Sequence, residues 1–139
     1  MKTIKLLLLL AITSLTLSCN NDDDNSHVEN SFYDSWSLIK VSGGFAGTNE
    51  EFEPGTIVWQ FNENGTVTVT NNNTDETAND YFDSGNYSFQ FMVTESTTFG
   101  CETSLIVNDN DLGCFKMQNN TITLDETYID GYVITLSRQ

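Results

Sequence analysis

Short runs of alternating apolar and polar residues make up most of the chain after residue 35, and they restrict the folds open to it. The run "GTVTVTN" (65–71) has valine at every second position, and "GNYSFQFMV" (85–93) spaces its aromatic residues in the same way. An alternation of period two predicts β-strands that bury one face and expose the other. Runs with this alternation, or with the same enrichment in β-branched and aromatic residues, predict eight strands, at 36–43, 56–62, 65–71, 85–93, 103–108, 113–119, 120–126 and 131–138.

The segments between these runs are mostly short and rich in Asn, Asp and Gly, which favour tight turns. Because strands joined by short connections pair as neighbours, we predict an all-β fold, an antiparallel up-and-down β-barrel of about eight strands. Closure of the sheet removes its exposed edges. A two-sheet β-sandwich is the alternative. Give or take one face per strand, the interior is predicted to hold Leu38, Trp59, Phe61, Val67, Val69, Tyr87, Phe89, Phe91, Ile106, Phe115, Ile122, Leu124, Tyr132, Ile134 and Leu136.

The first 18 residues have the composition of a secretory signal peptide. Two lysines, at positions 2 and 5, precede the apolar segment "LLLLLAITSLTL" (6–17), and the small residue Ser18 follows it. A helix that crosses a membrane needs about 20 apolar residues, so this segment is too short for a stable span. We therefore predict that residues 1–18 are removed in the mature protein.

The junction at Cys19 resembles the lipobox of bacterial lipoproteins, in which a cysteine follows small and aliphatic residues. Ser18 and Cys19 fit this pattern, whereas Thr16 stands where the lipobox prefers leucine. The resemblance implies that Cys19 becomes the first residue of the mature chain and is acylated. Stable anchoring needs two or more acyl chains. Lipidation would also explain the odd number of cysteines.

Residues 19–31 are predicted to form a flexible acidic tether. The stretch "NNDDDNSHVENS" (20–31) contains one aliphatic residue and cannot bury enough apolar surface to become ordered. Its Asp22–Asp24 triplet resembles the acidic export signal of some Bacteroidetes lipoproteins, which implies the cell-surface side of the outer membrane; a plain spacer on a periplasm-facing lipoprotein is the alternative. The chain's only histidine, His27, lies here and has no neighbouring metal-binding side chains in the sequence.

Net charge excludes one large class of partners. The whole chain has a formal charge of −15 at pH 7, and loss of the signal peptide with its two lysines makes the remainder more negative. Nucleic-acid binding depends on basic side chains that displace counterions, so nucleic acid is not an expected partner. The remaining residues, 32–139, are enough for one domain, which we expect to be a monomer.

The order of motifs in residues 32–139 resembles the lipocalin-like domains of Bacteroidetes lipoproteins. The motifs are "WSLIKVSGG" (36–44), "IVWQFNENGTVTV" (57–69), "SGNYSF" (84–89) and "NTITLDETYIDGYVITLSR" (120–138). The resemblance implies a barrel in which a tryptophan of the first strand, Trp36, contacts an arginine late in the last strand, Arg138. The chain departs from the wider lipocalin pattern at Asp34, where glycine is usual.

Lipocalin-type barrels bind small apolar molecules, and the resemblance implies a loop that guards the barrel mouth. The segment "SGGFAGTNEEFEPG" (42–55) corresponds to that loop. We therefore predict a ligand-binding set of six aromatic residues, namely Phe45, Phe52, Trp59, Phe61, Phe89 and Phe91. The alternative is a filled barrel that acts as a surface-interaction, structural or inhibitor-type protein.

Catalytic and metal-binding patterns are weak in this sequence. A hydrolase triad needs a base such as histidine, and the acids are scattered without a favoured pair, so we expect a protein that is not an enzyme and carries no cofactor. Asp109 and Asp111 in "NDNDLG" (108–113) resemble part of a calcium loop, but Asn120 stands where an EF-hand has its glutamate. A hairpin turn is therefore preferred there, and no metal site is predicted.

The two remaining cysteines, Cys101 and Cys114, are expected to form a disulfide in an oxidising compartment, which would stabilise the fold by about 3 kcal/mol. One geometrical difficulty accompanies this prediction. A hairpin that turns at 109–110 places Cys101 opposite residue 118, so the bridge requires the segment "TTFGC" (97–101) to curl out of the strand.

Overall fold

The computed structural model describes residues 31–93 and 100–139. The predicted signal peptide, Cys19, His27 and all of the predicted tether except Ser31 lie outside the described residues. Nine strands are described, together with a short 3-10 turn at Thr127–Ile129. The strands are β1 (Ser35–Gly43), β2 (Thr48–Glu51), β3 (Ile57–Asn62), β4 (Thr66–Asn71), β5 (Gly85–Val93), β6 (Thr103–Val107), β7 (Asn110–Gln118), β8 (Thr121–Asp125) and β9 (Tyr132–Arg138).

The strands form one antiparallel sheet that closes on itself through β1. Along one edge β1 pairs with β9, from Trp36 opposite Arg138 to Gly43 opposite Tyr132. Along the other edge its first part pairs with β3 and its second part with β2. The remaining strands pair in sequence order from β3 to β9. The fold is therefore a closed eight-stranded barrel with β2 as an additional strand, which confirms the predicted barrel and rules out the sandwich.

Two tight turns carry the left-handed backbone that their sequences predict. Asn108 and Asp109 join β6 to β7 with φ values of 49° and 64°, as a two-residue hairpin turn requires. Asn119, between β7 and β8, has a φ of 52°. Asn and Asp tolerate this conformation better than other non-glycine residues, so the Asn- and Asp-rich segments bring consecutive strands directly together.

A β-bulge in β1 changes which residues face the interior. The register with β9 shifts between Leu38 and Lys40, so Ile39 is an extra residue in β1. Trp36 and Leu38 are buried before the bulge, and Val41, an odd-numbered residue, is buried after it. Since one added residue inverts the alternation, strict period-two reading of β1 misses Val41.

Side chains from all the barrel strands except β5 pack the interior as one buried cluster. Most predicted interior residues belong to it. The prediction that Ile106 faces the interior was wrong, because Leu105 and Val107 are buried and Ile106 is half-buried on the other face. Three apolar residues in succession give no alternation from which to choose a face. Five of the predicted interior aromatic residues remain partly exposed, namely Tyr87, Phe89, Phe91, Phe115 and Tyr132. The buried cluster also contains Ile57, Phe82 and Leu112.

The two ends of the barrel differ in their covering. We call the end formed by the start of β1, residues 62–65, residues 119–120 and Arg138 the sealed end. We call the opposite end, where residues 44–47, 72–84, 108–109 and 126–131 meet, the mouth.

Within the described residues, no helix has the length and apolar character needed to span a membrane.

Candidate functional site at the mouth of the barrel

The predicted ligand-binding aromatics do not come together in one site. Trp59 and Phe61, neighbours on the interior face of β3, are buried in the core, with ring centroids 6.3 Å apart. Phe45 is fully exposed in the connection between β1 and β2, whereas Phe52 packs partly against the core. Phe61 continues the row of rings to the sealed end, since its ring centroid lies 5.2 Å from that of Phe89, which lies 6.1 Å from that of Phe91. Four of the six aromatics therefore pack against one another as part of the filled barrel, whereas Phe45 lies on the surface.

Phe32 plugs the sealed end of the barrel. Its ring centroid lies 4.3 Å from that of Phe61, 5.0 Å from that of Phe91 and 5.5 Å from those of Phe89 and Phe115. Its carbonyl accepts a hydrogen bond of 3.0 Å from the indole nitrogen of Trp36. Sequence reasoning missed this role, although an aromatic residue directly after an acidic tether was a usable signal.

Arg138 fastens the start of β1 to the end of β9. Its guanidinium carbon lies 4.4 Å from the centre of the Trp36 ring, so the predicted contact between these two residues is present. The same guanidinium pairs with the carboxylate of Asp34 and donates a 3.0 Å hydrogen bond to the carbonyl of Ser31. Asp34, the departure from the lipocalin pattern, is therefore the ionic partner of Arg138.

The disulfide between Cys101 and Cys114 is present, with the two Cα atoms 5.4 Å apart. It forms because β6 begins only at Thr103, which leaves Cys101 outside the strand ladder, and because Cys114 pairs with Ser104. A register shift between β6 and β7 accompanies Gly113, which has a φ of 84°. A Cβ at Gly113 would lie 2.4 Å from the Asp125 carbonyl oxygen, so glycine is required there.

The mouth carries a cleft of about 490 Å³. Three separate segments converge on it: the loop between β4 and β5, the β6–β7 hairpin and the connection between β8 and β9. Aromatic, aliphatic, amide and carboxylate side chains are all represented among the residues that line it, which are Asn79, Tyr81, Phe82, Asp109, Asn110, Asp111, Leu112, Glu126 and Tyr132. Because their positions are scattered through the sequence, no local motif predicts this cleft.

Hydrogen bonds hold the β4–β5 loop across the barrel end. The amide nitrogen of the Asn71 side chain donates to Asp80 Oδ2 at 2.8 Å and to the carbonyl of Phe82 at 3.0 Å. Glu50, on the additional strand β2, accepts a 2.6 Å hydrogen bond from the backbone N–H of Asn79. Strand β2, which the sequence analysis did not predict, thus supports one wall of the cleft.

Phe82 forms the floor of the cleft and the top of the core. Only 8% of its surface is exposed, and its ring centroid lies 5.3 Å from that of Trp59 and 5.0 Å from that of Tyr87. The cleft is therefore separated from the barrel interior by an aromatic layer.

Two titratable groups of the cleft have shifted pKa values. Burial raises the pKa of Glu126, against the opposing effect of a hydrogen bond from the backbone of Tyr132, and the charge of Asp111 raises it further. Burial also raises the pKa of Tyr81, helped by the charge of Glu126. The Tyr81 hydroxyl is buried and has no hydrogen-bond partner among the described residues.

The hairpin that resembled part of a calcium loop has a structural role. The backbone of Asp109 adopts the left-handed conformation of the turn, and Asp111 Oδ1 accepts a 3.0 Å hydrogen bond from the N–H of Gly113. Across residues 31–93 and 100–139, no group of three or more His, Cys, Asp or Glu side chains is arranged to hold a metal ion. The aspartates at this hairpin thus act in the turn itself.

Comparison of the chain with protein-family models, with curated proteins and with solved structures found no match.

Proposed function

We propose that this chain is a membrane-anchored lipoprotein whose lipocalin-like barrel is a non-enzymatic binding module, with the mouth cleft as its binding face. The observation that carries this proposal is the cleft of mixed aromatic and polar lining at the mouth, and the filled interior argues against a ligand inside the barrel. Trp59, Leu38 and Ile134 have no exposed surface, and the ring of Phe82 packs against that of Trp59 on the mouth side. A ligand inside the barrel would have to displace well-packed core side chains, which costs several kcal/mol.

The cleft offers a small ligand the surface that the interior does not. Its volume of about 490 Å³ lies within the range of small-molecule sites. Phe82 and Leu112 supply apolar contact, and the surrounding polar groups can orient a ligand. The small hydrophobic ligand predicted from the family resemblance is therefore assigned to the cleft.

The point at which the chain enters the barrel supports an exposed binding face at the mouth. The chain enters the barrel at the sealed end, where the carbonyl of Ser31 is held by Arg138 and Phe32 is inserted among four rings. In a protein anchored through acylated Cys19, the tether would therefore join the barrel at its sealed end, and the mouth would be the end farther from the point of attachment. On a bacterial outer membrane with the lipoprotein on the cell surface, the cleft would meet extracellular molecules.

Native mass spectrometry of protein purified from its own cells tests the binding face. We expect a co-purifying small molecule that is lost when Asn110, an exposed residue lining the cleft, is replaced by Trp. The control Asn120→Trp places the same side chain at an exposed position of the sealed end and should leave the adduct in place. An adduct that survives Asn110→Trp, or no adduct under any growth condition, would contradict the proposal.

Metabolic labelling with radioactive palmitate tests the anchor. The Cys19→Ser variant should lose the label and leave the membrane fraction. The variant with both Cys101 and Cys114 replaced by alanine lacks the other two thiols and should keep the label. Continued membrane retention of Cys19→Ser would refute the anchor. Protease treatment of intact cells, with Asp22–Asp24 replaced by alanine as the comparison, separates the cell-surface location from the periplasm-facing one.

A further inference from the structure

The mouth cleft combines aromatic walls with carboxylates that have no cationic partner. Asp109, Asp111 and Glu126 line it, and none of them takes part in an ion pair within the described residues. No lysine or arginine lines the cleft. Of the three lysine and arginine residues in the described part of the chain, Lys40 is paired with Glu51, Lys116 on β7 acts on Asp125, and Arg138 is held at the opposite end of the barrel. The carboxylates that line the cleft are therefore not ion-paired with any lysine or arginine of the described residues.

Carboxylates alone do not make a binding site, but here they border an aromatic corner. The rings of Tyr81 and Tyr132 are nearly perpendicular, at 86°, with their centroids 6.4 Å apart. Phe82 stands beside Tyr81, with a centroid separation of 6.3 Å. This is the edge-to-face packing usual for aromatic pairs, and a ring face that borders the cleft can attract a cation through its quadrupole.

The backbone conformation of Tyr81 and the environment of its hydroxyl are both energetically unfavourable. Tyr81 has a φ of 68°, a conformation that is uncommon for a bulky residue. Its buried hydroxyl has no partner among the described residues, and a buried polar group without a hydrogen bond is costly. Strain of this kind persists where the surrounding structure enforces it, and it concentrates at binding sites.

Glu126 lies next to both tyrosines of the aromatic corner. Its Oε2 accepts a 3.5 Å hydrogen bond from the backbone N–H of Tyr132, and its charge acts on the hydroxyl of Tyr81. The neighbouring Gly131 has no side chain, and a Cβ there would lie 2.8 Å from Glu126 Oε2. A side chain at position 131 would displace Glu126, so glycine there allows the observed position of the carboxylate.

We propose that the mouth cleft binds an organic ammonium ion carried on an apolar body, with Glu126 as the counter-charge, Tyr81 and Tyr132 as the aromatic faces, and Phe82 and Leu112 as the apolar contact. The inference rests on the proposed function, because it names the chemistry that the mouth recognises. The ammonium group comes either from a free amine or from a lysine side chain of another protein.

An NMR titration of the purified protein tests this chemistry with three small probes of similar shape. Phenethylamine is cationic, phenethyl alcohol is neutral and phenylacetate is anionic. We expect phenethylamine to shift the amide resonances of Glu126 and Tyr132 with saturation, and the other two probes to bind at least about tenfold more weakly, as expected when a charged hydrogen-bond partner is lost. Equal binding of the alcohol, or no binding of the amine, would overturn the proposal without the need for any variant.

Matched variants locate the interaction. Glu126→Gln should weaken phenethylamine binding about tenfold, whereas Glu63→Gln, which removes one exposed carboxylate at the sealed end, should change it less than about twofold. Tyr132→Leu keeps an apolar side chain and should also weaken binding if the aromatic face contributes. Equal effects of Glu126→Gln and Glu63→Gln would show general attraction by net charge and would contradict the site.

An acetylated and amidated lysine tripeptide distinguishes the two sources of the ammonium group. Saturable binding of both the tripeptide and phenethylamine would indicate that the cleft can bind a lysine side chain of a protein partner. Binding of phenethylamine alone would indicate a site for free amines. If neither binds but Asn110→Trp still removes a co-purifying molecule, the mouth remains the binding face and only the ammonium chemistry is wrong. If Asn110→Trp has no effect on that molecule, the proposed function itself fails.

Discussion

Replacement of Phe82 by alanine tests whether the mouth is closed by a packed aromatic layer. Phe82 is not on a barrel strand; it lies in the loop between β4 and β5, and 8% of its surface is exposed. Its ring contacts Trp59 in the core and Tyr87 on β5. The same substitution at Phe45, also at the mouth but fully exposed, serves as a matched control.

The expected loss of stability follows from the burial of the ring. Truncation of a buried phenylalanine costs about 3–5 kcal/mol, the sum of lost apolar transfer and the cavity left behind. Because the space left by Phe82 borders the cleft, water can enter part of it, and we expect the lower value, about 3 kcal/mol. Phe45→Ala removes an exposed ring and should change the unfolding free energy by less than about 0.5 kcal/mol.

Urea unfolding followed by tryptophan fluorescence measures both variants, since the chain has only two tryptophans, Trp36 and Trp59, and both are buried. With a denaturant slope of about 1.5 kcal/mol per molar, the Phe82→Ala midpoint should fall by about 2 M. Phe82→Leu, which keeps most of the apolar volume, should fall by less than half of that and is measurable if the alanine variant fails to fold. Equal midpoints for Phe82→Ala and Phe45→Ala would refute the aromatic closure of the mouth.

Three further predictions concern other parts of the barrel. Arg138→Lys keeps the charge but loses the planar stacking and the forked hydrogen bonds, so it should lower the unfolding free energy measured in urea by about 1–2 kcal/mol. The control Lys40→Arg, in an exposed ion pair, should change that free energy by less than about 0.5 kcal/mol, and equal losses for the two variants would contradict the role of Arg138. Replacing Cys101 and Cys114 by alanine should lower the unfolding free energy by about 3 kcal/mol, because the bridge spans 13 residues. Reductant should lower the urea midpoint of the wild type to that of the variant and leave the midpoint of the variant unchanged. Because burial raises the pKa of Glu126, its ionisation opposes folding, so the wild type should lose stability relative to Glu126→Gln as the pH rises above 4.5, the ordinary pKa of glutamate; a stability difference that stays constant between pH 4 and pH 8 would contradict this.

Local features of the sequence were sufficient for the strands of the barrel. The alternating valines of β4 and the alternating Ile134 and Leu136 of β9 each identify a buried face, since successive side chains of a strand point to opposite sides. The segment "NDND" (108–111) identifies a tight hairpin, because Asn and Asp tolerate the left-handed backbone, but the turn lies at 108–109, one residue before the predicted 109–110. These features depend only on neighbours in the chain.

The same local pattern fails where pairing partners decide the outcome. Strand β2, with the sequence "TNEE", has no apolar alternation and forms because its backbone pairs with the second half of β1. In β6 three consecutive apolar residues leave the buried face undetermined until the pairing with β5 and β7 sets it. The bulge at Ile39 likewise appears only in the register with β9.

The sequence by itself determined the repeating unit of this protein, short antiparallel strands with one apolar face, and it predicted the pair Cys101–Cys114. The pair Trp36–Arg138 was an expectation from the family resemblance. Only the tertiary structure decided what fills and covers the barrel. Phe32 closes one end and Phe82 the other, and neither lies on a strand with a readable alternation. The cleft above Phe82 joins three segments that are distant in sequence. Alternation acts between nearest neighbours, whereas closure of a barrel and convergence of its loops depend on contacts between residues far apart in the chain.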